Sequence, residues 1–491
     1  MGMNKAERTF PTTGTRKVLV ILVGYSDVAM NAASTQAFYS NLFNGGGTTA
    51  LTWKKYYEDM SNNQLHLEFT IVGPYSASNM LAYYGTNVSG NDRYPGTLVG
   101  EAIDAADADG VDFAPFDNDG DGKVDNVVLI HAGQGEESGA DANTIWSHRW
   151  TLDAAEYYGD GSGHRTCDGK IVNDYTIQPE YVFAAGDTTI GVFAHEFGHI
   201  LGLPDLYDTT YVTDGVGRWS LMAAGSWNGS NGDVPAPLLA WERARLGWIA
   251  TPDIRVARAF NSESRRMSSI SVVAGVLFLC WVLSIAMKRM GLGTSRRKTA
   301  LAIASLFFLT ATIYLGCGEN PKKNSGSSDA TIDATLGDID TSYRAIKIPL
   351  GDSFKEQYYL LENKFNKANT WSEYLPGSGL LITRIDDFVI NEALPTNEVN
   401  SNYFGYPEVN GLTIIEADAN AELMTGGAPQ GQDTDPFFAG NNGRLTPESF
   451  PSTSYNKYNS NHTTVLIGGG TADINITEIS APGAEMSFTY E

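Results

Sequence analysis

Cysteine is nearly absent from this chain. Cys167, Cys280 and Cys317 are the only three in 491 residues. Two of them fall in or beside strongly apolar segments, so no disulfide framework is indicated and the fold must stand on its core, with or without metals. Positive charge is also short: 33 Lys and Arg against 57 Asp and Glu leave a net charge of −24. Such a chain repels phosphate backbones, which sets nucleic-acid binding aside, and it suits solubility or bound divalent cations instead. The opening stretch MGMNKAERTFPTTGTRK has no apolar run, so no cleavable secretion signal is expected there. What remains is ordinary for a globular protein, with 42% hydrophobic and 18% charged residues, and a length that suggests about two or three domains.

Periodicity places the first elements. Lys17–Gly24 (KVLVILVG) is a continuous apolar run ended by glycine and reads as a buried strand. Gln64–Val72 alternates and reads as a half-buried strand, and Val124–Ala132 as another strand. Leu98–Asp109 reads as a helix. Thr188–Leu201 reads as a second helix with Ile190, Phe193, Phe197 and Leu201 on one face, Asp187 as N-cap, and Gly202 and Pro204 as the stop. Tyr358–Glu362 and Leu380–Ile385 read as strands, and the chain beyond about Asn410 as β-rich or irregular. Strands, then helices, then more strands predict an α+β fold.

Ile270–Met287 and Thr299–Gly316 break this pattern. Each is an uncharged run of eighteen residues, at the ~18-residue threshold for a membrane span. Lys288, Arg289, Arg296, Arg297 and Lys298 between them would sit on the cytoplasmic side. The second run, followed by Leu315-Gly316-Cys317 and a polar tail, also has the form of a bacterial lipoprotein signal. Three origins stand open: a membrane hairpin, a segment joined in by gene rearrangement or sequence assembly, or a pair of buried helices.

The chemistry is concentrated at Ala194–Asp208, AHEFGHILGLPDLYD. His195 and His199 are four residues apart, so on a helix both imidazoles reach one ion. Zinc prefers such nitrogen ligands in tetrahedral sites. Glu196 stands beside the metal as general base for its water. Gly202 lets the chain turn back with positive φ, so that Asp205 can supply a third ligand. About twenty residues on, Arg218–Trp227 (RWSLMAAGSW) places Met222 in a small-residue turn, the form of a Met-turn that floors a zinc site.

Asp117–Asp125 (DNDGDGKVD) carries alternating carboxylates at Asp117, Asp119 and Asp121, a turn glycine, a backbone ligand expected from Lys123, and Asp125 at the ninth position. This is the first part of an EF-hand-like loop, although Val128 stands where its bidentate Glu would be. A structural Ca²⁺ is expected here, with a solvated turn as the alternative. The ion would fix the strand that follows; similarity of the zinc motif and Met-turn to metzincins, in which a strand near the helix borders the substrate cleft, implies that it would also set the cleft rim.

HEFGHILGLPDLYD and WSLMAAGSW, together with YEDMSNNQLHLEFTIVGPY, DNDGDGKVDNVVLIHAGQGEESG, IWSH, YYLLENK and LPGSGLLITRID, resemble the immune inhibitor A–like M6 metallopeptidases over about residues 15–250 and 335–491. The resemblance implies a metzincin-like zincin domain, in which a mixed twisted sheet is joined to the active-site helix, and a zinc endopeptidase with bound calcium that acts on extracellular proteins. Two departures from the family pattern are expected on this reading: the usual leader and pro-segment are not seen ahead of the domain in residues 1–17, and the double apolar insert interrupts it. The expected layout is a catalytic region at 1–255, the insert at 256–333 as two helices, and at 334–491 the continuation of the catalytic region with a β-rich C-terminal part.

Secondary candidates are His131, His148 and Tyr207 for orienting substrate or stabilising an oxyanion, Glu136 and Glu137 for a second cation or substrate contact, and Asp433 with Asp435 for another calcium site. For each, an ordinary structural role is the simpler reading. Two functions follow. One is a zinc endopeptidase outside the cell or at its envelope, acting on protein or peptide substrates. The other is a catalytically silent, membrane-anchored surface or adhesion module that keeps the fold.

Overall fold

A computed structural model defines residues 8–46, 51–254, 331–350, 357–401, 409–427, 429–455 and 470–491. Both apolar runs, 270–287 and 299–316, lie outside these described residues. Among the described residues no helix is long and apolar enough to cross a membrane. Contacts divide the chain into one unit of Met1–Asp253 with Asp333–Tyr490, and a second of Ile254–Ile332 with Glu491. The first unit carries every site discussed below.

Its frame is a five-stranded sheet. The strands, in chain order, are β1 (Gly14–Gly24), β2 (Leu65–Ser76), β3 (Val127–Gln134), β4 (His148–Thr151) and β5 (Asp174–Tyr181). Their spatial order is β2–β1–β3–β5–β4. All neighbours are parallel except β4, which pairs antiparallel with β5 at the sheet edge. The unbroken apolar run of β1 follows from burial on both faces. Val18, Val20 and Leu22 join one core cluster, while Leu19, Ile21 and Val23 join the other. Each such side chain contributes about 1.5–3 kcal/mol of burial.

Helix α1 (Pro95–Ala108) covers one face through Leu98, Val99, Ala102 and Ile103. The other face is covered by α2 (Gly191–Ile200), which sets Phe193 and Phe197 edge-on or tilted against Trp53, with ring centroids 5.6 and 5.7 Å apart. Ile190, Phe193, Phe197 and Leu201 are all buried, as their spacing predicts.

Two expectations need correction. Helix α2 begins at Gly191 rather than Thr188, and Asp187 does not cap it. Its carboxylate instead accepts the backbone N–H groups of Val182, Phe183 and Ala184, while Thr188 and Thr189 donate to the carbonyls of Glu180 and Asn231. The local turn uses the polar side chains before the helix can. The strand expected at Val124–Ala132 is two strands: Lys123–Val124 pairs with Lys170–Val172 in a separate small sheet, and β3 starts at Val127.

The later part of the unit holds a four-stranded antiparallel sheet of β6 (Ile346–Pro349), β7 (Gln357–Lys364), β8 (Gly379–Asp386) and β9 (Leu412–Ile414). Every residue of β7 and β8 is buried, including Glu362 and Lys364, which pair at 2.8 Å. Beyond β8 the chain returns to the zinc motif.

Candidate metal centre

The apolar face of α2 is spent on the core, so its opposite face presents His195, Glu196 and His199. Gly198 lies between them for a steric reason: a Cβ there would stand 2.4 Å from Sδ of Met222. Met222 is fully buried against the helix, in the position expected of a floor. Its turn is held by Ser220, whose hydroxyl accepts the Met222 N–H at 3.0 Å and donates to buried Glu242 at 2.8 Å.

Both imidazoles are oriented from behind. Nδ1 of His195 lies 2.9 Å from the Leu221 carbonyl, and Nδ1 of His199 lies 2.8 Å from that of Leu203. A carbonyl only accepts, so each Nδ1 carries the proton and each Nε2 offers a lone pair. After α2, Gly202 takes φ 92°, a left-handed turn that glycine adopts without steric cost. The turn brings Asp205 back, and its Oδ1 lies 3.1 Å from Nε2 of His195 and 3.2 Å from Nε2 of His199. One ring nitrogen of each histidine and one Asp205 carboxylate oxygen lie within 4.8 Å of one another.

The fit to a metal can be judged from these atoms. Nε2 of His199 and Oε2 of Glu196 are shielded from solvent with no hydrogen-bond partner. Burial disfavours a charged His195, yet Asp205, Glu196 and the Leu221 carbonyl raise its proton affinity overall. The pocket therefore attracts a cation, and two imidazole nitrogens with one carboxylate are a donor set suited to zinc.

One residue that holds this set was not legible in the motif. Asn397, 192 positions beyond Asp205, accepts the Asp205 backbone N–H at 2.7 Å and donates from Nδ2 to Asp205 Oδ2. It sits in a left-handed conformation with φ 60°, one that asparagine tolerates.

A cleft of about 380 Å³ opens in front of His195 and Glu196. Tyr207 and His148 line it, whereas His131 is wholly buried elsewhere and does not. The Tyr207 ring stacks near His195, centroids 6.4 Å apart, and the Asp205 carboxylate, with burial, pushes its hydroxyl pKa upward. Glu137 also lines the cleft and accepts from Ser147 Oγ at 2.7 Å. Burial raises its pKa, and Glu196 adds to the rise. Glu136 turns away to Asn87.

The Asp-rich loop is gathered in part. Asp117, Asp119 and Asp125 converge, but Asp121 does not join them. Its carboxylate accepts the Lys123 N–H at 2.8 Å and lies 3.7 Å from the Lys123 ammonium. Asp117 already accepts from Gly120, Gly122 and the Lys170 ammonium, the last at 2.7 Å, and its pKa is lowered chiefly by that lysine. The cleft-rim role expected of this loop meets a geometric obstacle. The strand it feeds is central, and the edge strand at the cleft is β4. Asp433 does not pair with Asp435; Asp435 instead joins Glu416, Asp418 and Glu422.

Fold and site together have the layout of a zincin-type metallopeptidase centre: a mixed sheet, a helix bearing two histidines and a glutamate, and a returning carboxylate. Residues 7–249, just under half of the chain, match the family model of the immune inhibitor A peptidase M6 catalytic domain. It is 34% identical over 257 residues to Immune inhibitor A of Bacillus thuringiensis subsp. alesti, covering 43% of this chain and 36% of that protein. It is 33% identical over 279 residues to the pre-pro-metalloprotease PrtV of Vibrio cholerae serotype O1, covering 47% and 30%. The chain thus spans about a third of the length of these curated relatives. Among solved structures, metalloproteinase-II from Bacteroides fragilis aligns over 49% of this chain and 54% of its own, at 14% identity and a TM-score of 0.22, too low to inform the fold.

Proposed function

We propose that this protein is a zinc-dependent endopeptidase, with His195, His199 and Asp205 as zinc ligands and Glu196 as general base. The observation that carries the reading is the set of buried acceptor atoms with no protein donor, His199 Nε2 and Glu196 Oε2 foremost, beside an open cleft that His195 and Glu196 line. Zinc bound there supplies Lewis acidity toward a peptide carbonyl and lowers the pKa of water.

The chain's own residues supply the rest. Glu196 takes a proton from the attacking water and passes it to the departing amine nitrogen. Tyr207, kept protonated by its neighbours, can donate to the oxygen that gains charge. Trp146, Ser147 and His148, at the start of strand β4, line the cleft beside Glu196 and offer a wall along which a substrate can lie.

The substrates in this reading are extracellular proteins, met outside the cell or at its envelope. The apolar runs 270–287 and 299–316 would provide the membrane anchor, and carbonate extraction of membranes tests that part alone. A Ca²⁺ at Asp117, Asp119 and Asp125 is a structural part of the same reading.

Casein hydrolysis by the full chain, with and without a zinc chelator, tests the proposal. Chelator-sensitive cleavage restored by zinc supports it. A folded, zinc-loaded protein that cleaves nothing would instead favour the silent surface module.

A further inference from the structure

A second cluster of ionisable groups lies in the segment 416–435, outside the zinc chemistry. Glu416, Asp418, Glu422 and Asp435 each bring a carboxylate oxygen within 4.8 Å of the others. Three of them come from one alternating stretch, Glu416-Ala-Asp418-Ala-Asn420-Ala-Glu422.

Local bonds fix these side chains but do not satisfy them. Asp418 accepts from the Asn420 N–H at 3.1 Å and from Asn420 Nδ2 at 2.9 Å. Glu416 accepts the Glu422 N–H at 2.9 Å. Asp435 Oδ2 accepts from the Trp219 indole and the Gln432 N–H, both at 2.9 Å. Asp435 Oδ1 and both carboxylate oxygens of Glu422 are then left shielded from solvent with no donor, and Asp435 is 0% exposed.

The forces on these groups are burial and mutual repulsion. Carboxylates do not stay buried and charged together without a counter-ion. The donor set is all oxygen, with no imidazole or thiolate, and that selects a hard cation.

We infer that Glu416, Asp418, Glu422 and Asp435 bind a Ca²⁺ ion, separate from the Asp117–Asp125 loop. The ion staples the segment 416–435 to the loop that carries Met222. Contacts that link the two segments include Asp435 to Trp219, the Arg218 N–H to the Gln430 carbonyl at 2.9 Å, the Asp214 N–H to the Leu423 carbonyl at 2.9 Å, and Gln430 Nε2 to Asp214 Oδ1 at 3.2 Å. Asp214 and Gln430 line the cleft, so the ion would stiffen that wall.

Trp219 makes the site readable, because an indole bonded to a ligand sensitises luminescence of Tb³⁺ bound in place of Ca²⁺. The full chain is titrated with Tb³⁺ under tryptophan excitation, beside Glu422→Gln and Asp119→Asn. The expected result is saturable emission that Ca²⁺ displaces, reduced at least fivefold in Glu422→Gln and kept in Asp119→Asn, with one fewer calcium per chain by mass spectrometry in Glu422→Gln. Calcium should also raise the melting temperature of the parent protein more than that of Glu422→Gln. If Glu422→Gln does not fold, Asp418→Asn gives the same reading. Unchanged emission and calcium count in the carboxylate variants would overturn the inference, as would Mg²⁺ displacing Tb³⁺ as readily as Ca²⁺.

Discussion

The zinc motif and the Asp117–Asp125 loop are both announced by spacing, yet the structure treats them differently. In the zinc motif, Leu221, Leu203 and Asn397 bond to the backs of His195, His199 and Asp205, and the remaining ring nitrogens and carboxylate oxygen are left to face one another. In the loop, glycine N–H groups and Lys170 already occupy Asp117, and Asp121 serves its own turn. Spacing tells which residues can gather. The hydrogen bonds that remain unmade tell which of them still need an ion.

The largest change is expected where the need is greatest. Asp205→Ala should lose stoichiometric zinc and lower casein cleavage by roughly a thousandfold or more, since several kcal/mol of charge stabilisation go with the ion. Zinc retained at full occupancy would show that another group completes the set. Asn397→Ala keeps all three ligands but frees Asp205, so zinc affinity should fall by about 10–100-fold. Equal affinity, measured by competition with a chromogenic chelator, would remove Asn397 from the account.

In the loop the prediction is reversed. Lys170→Met takes away the cation that Asp117 now uses, so calcium should bind about tenfold more tightly while the calcium-free protein loses about 1 kcal/mol. Calorimetry showing unchanged calcium affinity would mean that the lysine does not compete. A different kind of effect concerns Asp92, crowded by carboxylates yet in neither cluster. Its pKa is pushed up to about 7 by burial and by Glu136 and Glu137, against the pull of the Trp146 N–H. The native state then holds a proton that the unfolded chain releases near pH 4, so this residue makes stability fall as pH rises from about 4 to about 7. Asp92→Asn should flatten that part of a urea-midpoint profile; an unchanged slope would assign it to other groups.

Much of this was legible in the sequence where the information is local. His195, Glu196 and His199 share a helix face, Gly202 needs its left-handed turn, and the apolar run of β1 needs two covers. What spacing cannot show is the partner from afar. Asn397 reaches Asp205 across 192 residues, and Asp435 finds Glu416, Asp418 and Glu422 rather than its neighbour Asp433. The alternation of EADANAE was visible and has the same form as DNDGD. Without the fold, however, nothing showed that its oxygens would be buried together. Asp187 was misplaced for a related reason: a carboxylate before a helix caps whichever N–H groups the turn brings closest.

The most direct test of the proposed protease is Glu196→Gln in the full chain, with zinc content and casein hydrolysis measured on the same preparation. A variant that keeps one zinc per chain while cleavage falls by about 10²–10⁴-fold is the predicted result, the range a positioned general base supplies. A zinc-loaded variant that cleaves as fast as the parent would contradict the assignment of Glu196 as the base.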